Sequence, residues 1–182
     1  MSEEQKGTIM VPTGELTDDD VPETHDQLAH ELATIQQASK RVAIIGSRNL
    51  PITHQQIIET LTYALVTQGN YIITSGGSSG TNAAAIRGAM KADPHKLKVI
   101  LPQTIGQQPS DVQDQLIGLP NIVEHPDRAM MTLADASRIC NREIIDECQQ
   151  LVCFLSHTSG TLHKAVAYAE ECHKVVTVFY LD

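Results

Sequence analysis

The sequence has no tryptophan, only four tyrosines and two phenylalanines, and aromatics make up 3% of it. Proteins that grip nucleobases by stacking rely on exposed aromatic rings. Here Phe154, Phe179 and the tyrosines fall mostly in apolar runs, so stacking is not the expected mode of ligand contact. Cysteine pairs are also missing. Cys140, Cys148, Cys153 and Cys172 form no Cys-x-x-Cys motif, which argues against a zinc knuckle or a redox dithiol. All four lie in apolar-periodic segments and read as reduced core thiols. No long apolar span and no signal peptide are evident. The expectation is a cytoplasmic protein with no membrane contact. Basic excess is lacking too, since the net charge is −9.

That charge is unevenly spread. Residues 1–40 carry nine acids against Lys6 and Lys40, a net −7; residues 41–182 carry 13 acids and 11 bases, a net −2. The acidity is mainly a property of the tail. A nearly neutral remainder is compatible with a local basic patch for phosphate. With 41% apolar and 19% charged residues, the chain reads as one globular core.

Residues 1–26 are polar, acidic and interrupted by Pro12, Gly14 and Pro22. They read as a flexible acidic tail. Residues 27–182 read as a single domain that begins with a short edge helix, capped by Asp26 and carrying Leu28, Leu32 and Ile35 on one face. Val42-Ala43-Ile44-Ile45 is a continuous apolar run, as in a strand buried on both faces. It is followed by a turn, a cap at Thr53 and a helical apolar face up to Gly69. Tyr71 to Thr74 is a second strand, followed by a small-residue helix from Asn82 to Lys91. Leu97 to Leu101 is a third strand, and 121–124 a small fourth. A short helix follows Ser110. Residues 129–147 read as helix in one or two pieces. Leu151 to Leu155, a helix to about Cys172, and Val175 to Phe179 complete the alternation. Strands alternating with helices imply a Rossmann-like α/β fold: a parallel sheet with helices on both faces.

In such a sheet ligands collect outside the carboxyl ends of the strands. Three small-residue turns fall at those ends: Gly46-Ser47-Arg48, Ser75-Gly76-Gly77-Ser78-Ser79-Gly80-Thr81, and Ser159-Gly160-Thr161. Glycine lets backbone amides approach an anion, and a helix N-terminus adds favourable partial charge. Hydroxyls of Ser47, Ser75, Ser78, Thr81 and Ser159 add donors, and Arg48 is placed to pair with phosphate. Each turn alone reads as punctuation; three together predict a shared anion site. The second turn lacks the lysine of the G-x-x-x-x-G-K-[ST] loop and follows the second strand, so ordinary nicotinamide binding is not the leading idea. No serine has an evident His/Asp partner, and no histidine pair has metal-ligand spacing. No cofactor and no metal are expected.

Longer segments carry a resemblance. Val42 to Asn49 (VAIIGSRN), Ser75 to Gly88 (SGGSSGTNAAAIRG), Asn141-Arg142-Glu143-Ile144-Ile145, and Ser159-Gly160-Thr161-Leu162 with Ala165 follow one another in order over nearly all of 41–182. They resemble, respectively, the opening strand and turn, the S-G-x-x-x-G-I-D-x-x-A-H-x-G segment, the R-N-R-I-I segment and the S-G-[SA]-L-x-T-A segment of the DprA/Smf family, the DNA-processing proteins of natural transformation. The wider superfamily also holds the LOG phosphoribohydrolases. The resemblance implies a DprA/LOG-type Rossmann domain, a homodimer, and binding of single-stranded DNA or a nucleotide at the glycine-rich face. It also implies a recombinase or other protein partner. It adds Asn82, in place of the family's Asp, and Arg142 to the ligand-binding candidates. Thr81 replaces the family's Ile, and Lys164 a Thr. With no winged-helix segment after Asp182, a full recombination-mediator role is not expected.

LOG enzymes cleave the N-glycosidic bond of a nucleoside monophosphate with the Glu of P-G-G-x-G-T-x-x-E. Lys164 stands at that position. A cation cannot serve as that carboxylate, so the chain reads as a binding protein. A LOG-related enzyme or a non-catalytic nucleotide sensor are the alternatives.

Overall fold

A computed structural model describes residues 27, 29, 30 and 39–181. The tail at 1–26 and the rest of the edge helix lie outside the described residues; Gln27, Ala29 and His30 are helical.

From Ser39 onward the chain builds one sheet. Strand β1 is Arg41–Gly46, β2 Tyr71–Thr74, β3 Leu97–Ile100, β4 Ile122–Val123, β5 Gln150–Leu155 and β6 Val175–Tyr180. All five pairings are parallel, in the order β4-β3-β2-β1-β5-β6. Alternate residues of a strand face opposite sides. Val42, Ile44 and Ile72 therefore enter one core, and Ala43, Ile45 and Ile73 the other. A sheet covered on both faces needs apolar residues at every position, which accounts for the unbroken run in β1.

The first core is closed by α1 (Ile52–Thr67), α2 (Gly80–Ala92) and α3 (Ser110–Leu116). The second is closed by α4 (Leu133–Glu147) and α5 (Gly160–Glu171). Helix α2 buries Ala83, Ala84, Ala85, Ile86 and Ala89 completely or nearly so. Small side chains let its backbone lie close to the sheet. Ile86 fills the space that remains, and its truncation to Ala is worth about 2–5 kcal/mol.

Helix boundaries differ from expectation for local reasons. Thr53 does not cap α1: the helix starts at Ile52 behind Pro51, with no side-chain cap. Proline's fixed φ sets the entry instead. Helix α2 begins at Gly80, two residues before Asn82, because Gly80 takes a positive φ that starts the turn. Residues 129–147 hold one α-helix, α4. Its N-cap is Thr132, whose hydroxyl accepts from the Asp135 amide at 3.1 Å.

Candidate functional site

The strand order places β1 between β2 and β5. From β1 the chain leaves toward β2 on one side and later returns to β5 on the other. The loops at the carboxyl ends of β1 and β5 therefore diverge, and a crevice opens between them. A cleft of about 820 Å³ lies there. All three small-residue turns reach it: Gly46, Ser47 and Arg48 from the first, Ser75, Gly76, Gly77 and Ser78 from the second, and Ser159 and Thr161 from the third. Asn82 also lines it.

Much of the first two turns is bonded to itself. The Ser47 amide donates to Phe154 O at 2.7 Å. The Ser47 carbonyl accepts from the Thr81 amide at 3.0 Å and from Thr81 Oγ1 at 3.1 Å. A Cβ on Gly46 would stand 2.2 Å from Phe154 O, and one on Gly80 2.2 Å from Arg48 O. Gly80 also has φ +75°, a region that side chains disfavour. These two glycines hold the turns together. Thr81 is fully buried, both of its donors are used on Ser47, and neither it nor Gly80 lines the cleft.

Ser75 is likewise turned inward. It is buried, with its hydroxyl 3.7 Å from Cys140 Sγ. The Cys140 thiol donates to Ile100 O at 3.2 Å. Burial pushes that thiol up to about 12, so it stays protonated. Cys153 is also pushed up to about 12 by burial, and burial raises Cys148. Cys172 is only partly buried.

Other groups face the opening. Arg48 and Ser78 are exposed. Asn82 donates from Nδ2 to Gly76 O at 3.3 Å, while its buried Oδ1 has no hydrogen-bond partner. On the β5 side Ser156 and Thr158 hold hydroxyls 3.0 Å apart, and Ser159 and Thr161 open α5. The first amides of a helix have no intrahelical acceptor, so they favour an anion. Gly160 stands between two lining residues; a Cβ there would meet nothing within 4 Å.

Helix α4 supplies residues that the sequence did not single out: Ser137 and Arg138, with Asn141 beside them. Arg138 pairs with Asp135 on the same helix face. Asp135 is held below the usual carboxylate range by hydrogen bonds from Thr132 and then Arg138. The i, i+3 and i+4 spacing of 134, 137, 138 and 141 was the available signal. Arg142, by contrast, does not line the cleft. One residue past Asn141, it points to α5 and lies over the Tyr168 ring, 4.9 Å from its centroid. The Tyr168 hydroxyl donates to Asp146 at 2.8 Å, and chiefly for that reason its own ionisation is pushed up to about 12. Arg142 thus lies apart from the three turns, with an intramolecular partner on α5.

The segment before α4 is tied down by buried polar contacts. Gln103 donates to the carbonyls of Arg128 and Met131, both at 3.0 Å. Glu143 accepts from Arg128 at 3.0 Å, with His125 Nε2 at the same distance. These contacts fix the start of α4 over the cleft.

A second depression, of about 760 Å³, lies at the amino ends of the strands. Lys98 and Glu147 there satisfy each other at 2.6 Å, and none of the glycine-rich turns reaches it. Lys164 is exposed on the first turn of α5. Among the described residues no group of three or more His, Cys, Asp or Glu is arranged for a metal, and no helix is long and apolar enough to cross a membrane.

A six-stranded parallel sheet with helices on both faces and a crevice at its switch point defines a Rossmann-like α/β domain. The chain belongs to the DNA recombination-mediator protein A family, whose model matches residues 29–180. No curated protein matches the sequence. Among solved structures it is similar to DNA processing protein A of Helicobacter pylori, studied for its mode of binding single-stranded DNA: TM-score 0.65, 20% identity, over 82% of this chain and 69% of that one. It is also similar to DNA processing protein A of Streptococcus pneumoniae, with TM-score 0.58 and 18% identity over 80% of this chain. The match spans 52% of the pneumococcal chain. The molybdenum cofactor carrier protein of Chlamydomonas reinhardtii shares the fold at TM-score 0.55 and 16% identity, over 78% of this chain and 76% of that one.

Proposed function

We propose that the protein binds single-stranded DNA through its sugar-phosphate backbone in the switch-point cleft, as a non-catalytic DNA-processing protein. The observation that carries this reading is the convergence of three strand-end turns on one cleft rimmed by Arg48 and Arg138. Family membership supports a nucleic-acid ligand. Phosphate is met by the exposed guanidinium of Arg48, by the hydroxyls of Ser78, Ser159 and Thr161, and by the amide of Thr161 in the first turn of α5. Gly46, Gly80 and Thr81 act one step back, by fixing the backbone that carries Arg48. Asn82 Oδ1 is a buried acceptor without a partner, and it suits a ligand N–H or O–H donor. That acceptor also favours the second reading, a mononucleotide held in the same cleft.

The test is single-strand binding measured across a salt series. A protein that neutralises Z phosphates of a single strand loses affinity with a log–log slope of about −0.7Z. The expected result is a steep slope that becomes shallower in Arg48→Ala. A flat slope with tight retention of a nucleoside monophosphate selects the second reading. Absence of binding to either ligand overturns both.

A further inference from the structure

The rings in this chain are few, yet several meet at one corner of the cleft. His157 lies in the loop after β5, between Ser156 and Thr158, which line the cleft. Its imidazole stacks on Tyr180 at the carboxyl end of β6, with centroids 4.1 Å apart and planes 14° apart. His163, on the first turn of α5, lies 6.2 Å from the same tyrosine ring, tilted by 35°. Its Nε2 is 3.1 Å from the His157 carbonyl, which ties the loop to the helix. Tyr180 is 50% exposed although it sits in an apolar strand. Leu181, the next residue, lines the cleft.

The other rings are placed differently. Phe154 is buried against Phe179. Tyr168 is engaged by Asp146 and Arg142. Tyr71 starts β2, at the opposite end of the sheet, and Tyr63 is in α1. Phe179 is 43% exposed but has one face on Phe154; the stacked pair that reaches the loop lining the cleft is His157–Tyr180.

Resting on the reading of the cleft as a phosphate site, we infer that the His157–Tyr180 stack is a subsite for a nucleobase. Phosphate oxygens accept from the loop hydroxyls on either side of His157, and the attached base lies against the stacked rings. Stacking is tolerant of base identity because every base has a π-face. The subsite therefore adds affinity for a base and little preference among bases.

The experiment compares ligands with and without bases on the full chain. An oligothymidylate is paired with an abasic oligomer of the same length, and thymidine 5′-monophosphate with 2-deoxyribose 5-phosphate. The wild-type protein should bind the base-bearing member of a pair roughly 5- to 150-fold more tightly, the usual range for one base on one ring. With no tryptophan in the chain, the part of the tyrosine quenching that is lost in Tyr180→Leu reports the contact. Tyr180→Leu and His157→Leu should each close the gap, while Tyr180→Phe, which keeps the ring, should preserve it. Circular dichroism controls for folding. A gap in the oligomers alone assigns the subsite to a strand, and a gap in the monomers as well assigns it to a nucleotide; both support the inference. Equal wild-type affinity within each pair overturns the subsite and leaves the phosphate cleft standing. So does a gap that survives in both folded leucine variants. Failure of the wild type to bind any of the four ligands removes the cleft reading itself.

Discussion

Gly80 and Gly160 each open a helix at the carboxyl end of the sheet, and each follows a serine in a short polar turn. Their surroundings are opposite. At Gly80 a Cβ would meet backbone oxygens at 2.2 and 2.5 Å, and the backbone has φ +75°. At Gly160 it would meet nothing within 4 Å. The difference separates two uses of one motif. The first two turns use their small residues and hydroxyls on each other, so that the backbone carrying Arg48 is rigid. The third turn is bonded within itself, Ser159 N to Ser156 O and Gly160 N to Thr158 O, and leaves the space beside its glycine open. A glycine-rich loop can thus be polar in sequence and have little left to offer a ligand in space.

The largest expected effect comes from the same substitution made at both sites. Gly80→Ala adds a methyl group where the carbonyl oxygens of Ser47 and Arg48 already stand, in a backbone region costly for any side chain. It should destabilise the domain by more than about 4 kcal/mol, an exceptional value for a point change. Gly160→Ala should instead stabilise it by about 0.4–1 kcal/mol, through lower entropy of the unfolded chain. Urea denaturation of both proteins checks this. Similar stabilities for the two variants would erase the distinction between a used turn and an open one.

Next in size is the loss of Arg48. Its side chain is exposed, so folding should be unaffected. A charge-assisted contact of about 1.5–3 kcal/mol corresponds to a roughly 10- to 150-fold loss of affinity. Single-strand binding at fixed salt measures it. Unchanged affinity would show that the first turn is scaffold throughout, its arginine included.

The buried thiols give a third test. Cys140 is the partner of the Ser75 hydroxyl at the floor of the cleft, and burial pushes its thiol and that of Cys153 up to about 12 against an ordinary 9.0. The folded state therefore holds these protons more tightly than the unfolded state does. Their contribution to stability is complete below about pH 9 and is lost as the pH rises toward 12. Melting temperature should fall across that window, and less steeply in Cys140→Ala after allowance for its lower baseline. Alkylation of the native protein near pH 8 should modify Cys172 and spare Cys140, Cys148 and Cys153. Rapid native alkylation of Cys140 would mean that the Ser75 side of the cleft opens.

The fold was legible because its signals are local. Unbroken apolar runs such as Val42 to Ile45 require burial on both faces, and small residues after each run mark the strand ends. All six strands lie where those runs predict. The strand order was not legible, because it depends on which edges meet and no single segment encodes that. The cleft was legible as a place, since strand ends in an open parallel sheet share one rim. The roles of residues within it were less so. Thr81 reads as a donor, but the structure commits both its donors to a carbonyl 34 positions away. The tyrosines fall mostly in apolar runs, yet Tyr180, at the end of an edge strand, is half exposed. Helix phase decided the rest: Arg138 and Asn141 share a face with Ala134 and Ser137, and Arg142 falls off it.

That last pair gives the smallest expected effect and the sharpest control. Arg142 has an intramolecular partner, the Tyr168 ring, and lies outside the cleft lining. An exposed cation–π contact is worth about 0.5–1 kcal/mol, so Arg142→Ala should cost no more than that in stability. Both Arg142→Ala and Arg48→Ala remove one positive charge from a protein of net charge −9. A long-range electrostatic effect would therefore weaken strand binding equally in the two. A local phosphate contact would not: Arg48→Ala should make the salt slope shallower by about 0.7, the value for one phosphate of a single strand, while Arg142→Ala leaves the slope and the affinity at their wild-type values. Equal losses in both variants would show that net charge, and not the geometry of the first turn, governs binding. A larger loss in Arg142→Ala would move the interface from the strand ends to the outer face of α4 and α5.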